Sequence, residues 1–405
     1  MFRMSHMRFI GGVLLVAGTT IGAGMLALPV ITSFGGFFPS ILIFFSCWLL
    51  MLCSAFFFLD VNLSIGGESN LISMVKKTLG DKGKLISWIL YLLLMYALIA
   101  AYIAASAPLF ERAICALTGF QVPPQLSRFC LPLVFGSFIY LGTRGVDYIN
   151  RLLMVGLIVS YLVLIGFVPS HIQSSLFFHM DFSASLISIP VVLTAFGYHI
   201  VIPSLTTYLQ HDRKMLGKTI LVGSIIPIVI YILWQVLVLG VVPQTYLSQA
   251  WVQGSTASDP LALVLKNPFI AKSALFFSFF ALVTSFLGVS LSLSDFLRDG
   301  LNIKQSWEGR LAAFALTFIP PLIFVCSSQR GFYLALQYAG IIVAILLGIL
   351  PAIMAWQLKR PSFYTSVRGR VLLSTVILLF LLIIGLDIME KKGVLRSLIS
   401  SYLAC

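Results

Sequence analysis

Two apolar segments of this chain, far apart in sequence, are each interrupted by glycines and prolines at mid-membrane depth. The first interruption is the stretch 18–24, GTTIGAG, followed by Pro29. The second is the stretch 196–199, FGYH, which lies between Pro190 and Pro203. Unpaired backbone is costly in hydrocarbon, so such breaks persist only where they line a cavity or bind something. A matched pair of broken helices therefore indicates the substrate site of a secondary transporter.

The composition identifies the class of protein. Hydrophobic residues make up 60% of the 405 residues and charged residues 10%, whereas a soluble domain carries about 25% charged residues. The formal charge of +13 comes from basic residues in short loops, which argues against nucleic-acid binding. The six cysteines show no CxxC or metal-type spacing. We expect an all-α polytopic membrane protein with lipid around it, a small-molecule substrate, and no metal, cofactor or catalytic residues.

A membrane-spanning helix needs about 20 largely apolar residues, and the chain offers eleven such segments. The apolar run after Arg3 and Arg8 is too long for a cleaved signal peptide, so it counts as the first span. The predicted spans are approximately 9–33, 35–62, 85–110, 127–143, 151–170, 186–208, 217–242, 271–295, 310–327, 332–357 and 371–389.

Basic residues concentrate in alternate loops, and 18 of the 26 Lys and Arg lie on the side where the chain begins. By the positive-inside rule, the N-terminus is cytoplasmic and the C-terminus is outside, which is the periplasm in a bacterium.

The two interruptions lie in spans one and six, so the chain divides into two repeats of five spans. We predict one transporter domain over 1–405, with repeat one at about 9–170, repeat two at about 186–357, and an extra span at about 371–389. Because five is odd, the repeats have inverted topology, as in the LeuT-type fold. The longest loop, about 243–270, is either a gate-like lid or an ordinary connector. The segment 68–79 is amphipathic and is expected at the cytoplasmic interface.

Four stretches carry a family resemblance. The stretch 16–29, VAGTTIGAGMLALP, resembles the first-span signature of the hydroxy and aromatic amino acid permeases, in particular their tyrosine- and tryptophan-specific branch. Three further stretches are similar to that branch: 196–204, the residues 226–227 with 231–236, and 284–289. The resemblance implies import of aromatic amino acids by proton symport through the inner membrane of a bacterium. Ile200 departs from the small residue expected after His199, which affects the cavity shape there.

No Lys or Arg lies at mid-span to meet a substrate carboxylate. Backbone N–H groups of the unwound first span can take that role instead, and the resemblance assigns it to Ala23 and Gly24. Carbonyls near Thr19 and Thr20 can hold the ammonium group, and Gly22 permits close approach. The alternative is a tight helix crossing, because small residues such as Gly18 and Gly22 also favour close packing.

Substrate specificity is expected from the second break and from span three. Phe196, Gly197, Tyr198 and His199 cluster at the break, and Tyr96 represents the span-three tyrosines. Such rings can hold an aromatic substrate by edge or offset contacts. The alternative is that these abundant aromatic residues pack in the core. His199 can carry a proton, bind the substrate's polar group, or satisfy a buried carbonyl.

The coupling ion stays open from the residues alone. Proton candidates are His199, Asp60 and Asp295, although both carboxylates fall near span ends, where solvation alone accounts for them. Thr284 and Ser285 supply oxygens where LeuT-type carriers bind Na⁺, so a Na⁺-coupled symporter is an alternative. A second alternative is a serine or threonine permease of the sister branch, with a small polar pocket. An intramembrane enzyme or a channel is disfavoured, because neither catalytic motifs nor a repeated polar pore lining occurs.

Overall fold

The computed structural model describes residues 2–66, 69–141, 143–304, 306–328, 330–358, 363–391 and 402, and the elements in those ranges are helices. Nine of the helices are long and apolar enough to cross a membrane. The pair Met7–Thr20 and Ala23–Thr32, bent by 46°, makes a tenth when it is taken as one span. The predicted all-α polytopic fold is therefore confirmed.

The helices follow the predicted spans closely. In chain order the bounds are Phe2–Thr20, Ala23–Leu26 and Leu28–Thr32 for span one, then Phe37–Ile65 and Leu71–Thr118 for spans two and three. Span five is Thr143–Phe167 and span seven is Arg213–Leu239. Spans eight and nine are Pro268–Gly300 and Trp307–Ser327. Span ten is Gly331–Val343 with its continuations Ala344–Ile349 and Leu350–Trp356, and span eleven is Val367–Lys391.

The predicted fourth span, 127–143, consists of two short helices, Pro124–Val134 and Gly136–Leu141, with residue 142 outside the described ranges. The count of eleven spans and the inverted repeat therefore remain predictions. The amphipathic segment begins span three, where Asn70 caps the first turn, and a kink at Gly80 (φ 76°) separates that segment from the rest of the span. Residue 68 of that segment lies outside the described ranges.

Span six is assembled from short pieces. The helices Phe182–Ser185, Leu186–Ser188 and Ile189–Ala195 lead to the break at 196–198, and His199–Val201 and Ile202–Tyr208 follow it. Pro190 and Pro203 each stand at the start of a helix, where a missing N–H is harmless. Span one packs along span seven, span eight along span five, and span ten along spans three and six. These pairings place both breaks at the centre of the bundle.

Candidate functional site

The first break is stretched backbone between two helical segments. Its upstream helix closes with the N–H of Ile21 donating to Ala17 O, 2.9 Å away. Gly22 then turns extended, at φ −152° and ψ −166°. The N–H of Ala23 donates to Ser285 Oγ of span eight, 2.9 Å away. The N–H groups of Gly22 and Gly24 donate to no described residue, so two backbone donors stay available at the break.

The two breaks are joined by one side chain of span seven. Tyr231 is 1% exposed, and its hydroxyl lies 2.7 Å from Thr20 O and 2.9 Å from Ala195 O. Each of these carbonyls is the last one of the helix that precedes a break. The Tyr231 hydroxyl proton is thus shared between the two breaks. Tyr231 belongs to a motif that the sequence analysis singled out, but its side-chain role was not anticipated.

A cavity of ≈ 490 Å³ lies beside both breaks. Its wall includes Gly22 and Gly24 of span one and Gly197 of span six. The other predicted residues in the wall are Thr19, Thr20, Thr284 and Ser285. The hydroxyls of Thr19, Thr20 and Thr284 donate to carbonyls of their own helices at 2.7–2.8 Å, which leaves their oxygens free to accept.

The predicted aromatic residues lie elsewhere. Phe196, Tyr198 and His199 are fully buried and do not line the cavity. Phe196 packs on Tyr231, and His199 lies between Tyr198 and the edge-on ring of Phe58. The Tyr198 side chain faces Ser224 of span seven, and the His199 ring faces the backbone of Met51 in span two. Their assignment to substrate binding stays a prediction.

Three other predicted residues also lie outside the cavity wall. Tyr96 donates its hydroxyl to Leu316 O at 2.9 Å, a contact between spans three and nine. Asp60 accepts hydrogen bonds from Arg213 (Nε at 2.9 Å, Nη2 at 2.7 Å) and from the Tyr364 hydroxyl at 2.6 Å. Burial raises the pKa of Tyr364 well above its ordinary value, so this phenol stays a neutral donor. Asp295 is exposed, one turn beyond the last span-eight residue of the cavity wall.

Sequence reasoning missed much of the cavity wall. Three of its remaining members are polar: Tyr102, Asn150 and Ser292. The others have apolar or small side chains and are Leu14, Leu15, Gly18, Ile21, Met95, Leu98, Met154, Thr194, Ala195, Ile200, Val201, Gly288, Val289 and Leu336. Tyr102 was recognised only as one of several span-three tyrosines. Asn150, at the start of span five, carried no motif at all.

Within the described ranges, the exposed residues of the cavity wall lie at one end of the cavity. At the end that we call the open end, the wall residues Leu14, Thr19 and Ser292 are exposed. At the other, the sealed end, residues 25–36 are all buried. The loop between spans seven and eight, which contains helices Gln244–Gln253 and Ser258–Val264, packs there, and Ala257 N–H donates to Leu26 O at 3.0 Å.

That loop is held to several spans by polar contacts. Arg112 of span three reaches Asp259 at 2.5 Å, and the Tyr333 hydroxyl of span ten donates to Ser255 O at 2.5 Å. The guanidinium of Arg330 lies 4.6 Å from the centre of a Trp251 ring. Because the loop contacts several spans at this end of the cavity, these contacts favour a gate-like lid over an ordinary connector.

Comparisons with known proteins agree with this architecture. The model of the tryptophan/tyrosine permease family matches residues 5–389. The "Tyrosine-specific transport system 1" of Haemophilus influenzae is 34% identical, over 95% of this chain and 98% of the relative. The "Tryptophan-specific transport protein" of the same species is 30% identical, over 97% and 98%. The "Low affinity tryptophan permease" of Escherichia coli K12 is 28% identical, over 91% and 92%.

Among solved structures, a manganese transporter of Eremococcus coleocola superposes with a TM-score of 0.60. It is 17% identical and covers 97% of this chain and 92% of that one. At this identity the likeness concerns the fold alone.

Proposed function

Because this chain belongs to the tryptophan/tyrosine permease family, we propose that it imports tyrosine and tryptophan into a bacterial cell by alternating access. It is a multi-pass membrane protein of a transport family and not an enzyme. The observation that carries the proposal is the cavity at two facing helix breaks, which is accessible from one end and sealed at the other.

The first break supports recognition of an amino acid. The free N–H groups of Gly22 and Gly24 are suited to the substrate carboxylate, since two amide donors hold an anion without a basic side chain. The upstream helix ends at Thr20, and the backbone carbonyls of its last turn can accept hydrogen bonds from the substrate's ammonium group. This part of the site serves any amino acid, so the substrate's side chain must be selected elsewhere in the cavity.

The cavity wall supports an aromatic substrate over serine or threonine. Binding sites for small molecules are mostly apolar with a few placed polar groups. Here Met95, Leu98, Met154, Ile200 and Val201 form much of the wall. A serine permease was expected to have a small polar pocket, whereas this wall offers aliphatic surface and methionine sulfur, which contacts aromatic rings favourably.

The one-ended access supports alternating access. With the N-terminus cytoplasmic, the open end faces the cytoplasm, because span one runs from the open end to the sealed end. The described state is then the inward-facing one. Transport would rock spans one, two, six and seven against the others and release the loop from the sealed end.

We propose protons as the coupling ion. His199 directly follows the second break, and it lies fully buried in a membrane interior, where an ionisable group is functional by default. Asp60 accepts hydrogen bonds from Arg213 and Tyr364. We therefore assign it a structural role between spans and not the role of proton carrier. For Na⁺, Ser285 Oγ is held by Ala23 N–H and would have to exchange that contact for the ion.

The test is uptake of labelled tyrosine into proteoliposomes. We expect accumulation that requires an inward proton gradient, is unaffected by Na⁺, and is blocked by unlabelled tyrosine or tryptophan. Competition by serine or threonine instead would assign the chain to a different substrate class. Dependence on Na⁺ in place of the proton gradient would overturn the coupling proposal and leave the substrate assignment intact.

A further inference from the structure

The cavity contains a slot with bare backbone in its wall. Gly18 of span one and Gly288 of span eight both line the cavity, and a Cβ added to either would meet no heavy atom within 4 Å. Glycine backbone presents a low surface that a planar group can approach closely. Met95 and Met154 belong to the same wall, and methionine sulfur packs well against aromatic rings. The slot therefore combines open space over glycine with methionine sulfur, which suits an aromatic ring.

The depth of the slot follows from how spans five and eight pair. The Tyr161 ring stacks on Phe277, with centroids 5.3 Å apart. Five residues earlier, a Cβ at Gly156 would lie 2.6 Å from the Phe280 ring. The two helices are thus antiparallel, and the same register brings Asn150 level with residues 286–288. At 1.5 Å per residue, Asn150 lies about 1.5–4.5 Å nearer the open end than Ser285.

Asn150 and the first break therefore lie at neighbouring depths. Ser285 contacts the N–H of Ala23, so it marks the depth of the break, where the proposed function places the amino acid backbone. A ring attached to that backbone and directed towards the open end passes the depth of Asn150 and Gly288.

Asn150 presents an unused hydrogen-bond acceptor at that depth. Its side chain lines the cavity, and its Oδ1 is buried without a hydrogen-bond partner among the described residues. Buried polar atoms in native proteins nearly always have partners, because an unsatisfied one costs free energy. An acceptor in this position is complementary to a ligand that brings its own donor.

We propose that the slot holds the ring of the substrate and that Asn150 Oδ1 accepts a hydrogen bond from the ring's donor. The donor is the phenol hydroxyl of tyrosine or the indole N–H of tryptophan. This inference rests on the proposed function and adds the residue that selects the substrate class. Asn150 distinguishes rings that carry a donor from phenylalanine, because a bound phenylalanine leaves the acceptor unsatisfied.

The experiment compares tyrosine with phenylalanine in proteoliposomes of the wild type, Asn150→Leu and Ser160→Ala. Ser160 lies on the same span but outside the cavity wall, with its hydroxyl donating to Gly156 O at 2.7 Å. We expect the wild type to prefer tyrosine and Asn150→Leu to reduce that preference about tenfold, while Ser160→Ala leaves it unchanged. An equal fall of tyrosine and phenylalanine uptake in Asn150→Leu would overturn the inference, although tyrosine transport itself would stand.

A second variant tests the slot independently. A Cβ at Gly288 would meet no heavy atom within 4 Å, so Gly288→Leu directs its side chain into open space. Gly166→Leu is the matched control, because Gly166 is exposed on span five with nothing within 4 Å of its Cβ. We expect Gly288→Leu to reduce tryptophan uptake at least tenfold and Gly166→Leu to leave it unchanged. Wild-type tryptophan uptake by Gly288→Leu would exclude the slot. Failure of the wild type to transport any aromatic amino acid would overturn the proposed function as well.

Discussion

Span one passes through two different environments on either side of its break. From Leu14 to Thr19, all four cavity-lining positions are exposed, and an open mouth lies beside them. Beyond the break, residues 25–36 are buried under the loop between spans seven and eight. The same helix therefore contacts solvent-accessible space at one end and packed protein at the other.

The sealed end is closed by polar contacts together with apolar packing, in which the Phe34 ring meets the Trp251 ring edge-on, with centroids 5.6 Å apart. Ala257 N–H to Leu26 O, Tyr333 to Ser255 O and Arg112 to Asp259 each join the loop to a different span. A hydrogen bond contributes about 0.5–1.5 kcal/mol net because water replaces the lost partner. Opening of this end would have to separate these polar contacts as well as the apolar packing. The comparison shows that one end of the cavity has an exposed wall, whereas the other is held by both kinds of contact.

The largest effect is expected where the two environments meet. Gly22→Leu places a Cβ 2.8 Å from Ser285 Oγ and extends a side chain into the cavity, over the N–H groups of the break. The backbone at Gly22 is extended, a conformation that any residue adopts, so the loss is steric. We expect tyrosine uptake to fall to background while the protein still inserts.

The control for that variant is Gly166→Leu, which adds the same bulk to an exposed position of span five. Its uptake should equal that of the wild type. Normal uptake by Gly22→Leu would remove the first break from the substrate site.

Tyr231→Phe should have the next largest effect. The ring stays, but Thr20 O and Ala195 O lose their shared donor. Leaving buried acceptors unsatisfied costs about 1–3 kcal/mol, so we expect a lower Tm and uptake reduced several-fold. Tyr161→Phe is the matched control. The Tyr161 hydroxyl donates to Ile230 O, 2.9 Å away, and contacts neither break. Equal uptake by the two variants would show that the link between the breaks has no part in transport.

The sequence predicted the fold and the positions of the two breaks. Glycine and proline at 18–29 and 190–203 marked the breaks, because these residues act on the backbone locally and leave a signal in the chain itself. The break residues Thr19, Thr20, Gly22, Gly24 and Gly197 line the cavity, and their roles towards a substrate stay predictions.

The rest of the cavity wall depends on packing between spans, which no local pattern encodes. Phe196 and Tyr198 are adjacent to the break in sequence, yet their side chains point into the core. Asn150 and Gly288 reach the cavity only because spans five and eight pair in one particular register. A lone asparagine at the start of an apolar run also has an ordinary reading as a span-end residue, so its position could not be recognised beforehand.

The smallest effect is expected at the sealed end. Asp259→Asn removes the charge that Arg112 contacts, and Asp259 is 6% exposed in its side chain while Arg112 is 49% exposed. Because Arg112 is so exposed, the ion pair stabilises the closed loop by about 1 kcal/mol or less. Losing that free energy raises the population of the opened state by up to about fivefold.

The measurement is labelling of Ala257→Cys by a membrane-impermeant thiol reagent, in a background whose six native cysteines are replaced. Ala257 is fully buried, so labelling reports opening of the sealed end. We expect Asp259→Asn to raise the labelling rate by up to about fivefold. Asp81→Asn, which breaks the exposed pair of Lys76 and Asp81 at 3.7 Å, should leave the rate unchanged. If both variants label alike, the Arg112–Asp259 pair does not hold the loop closed. Closure then rests on the backbone contact of Ala257 with Leu26 and on Tyr333.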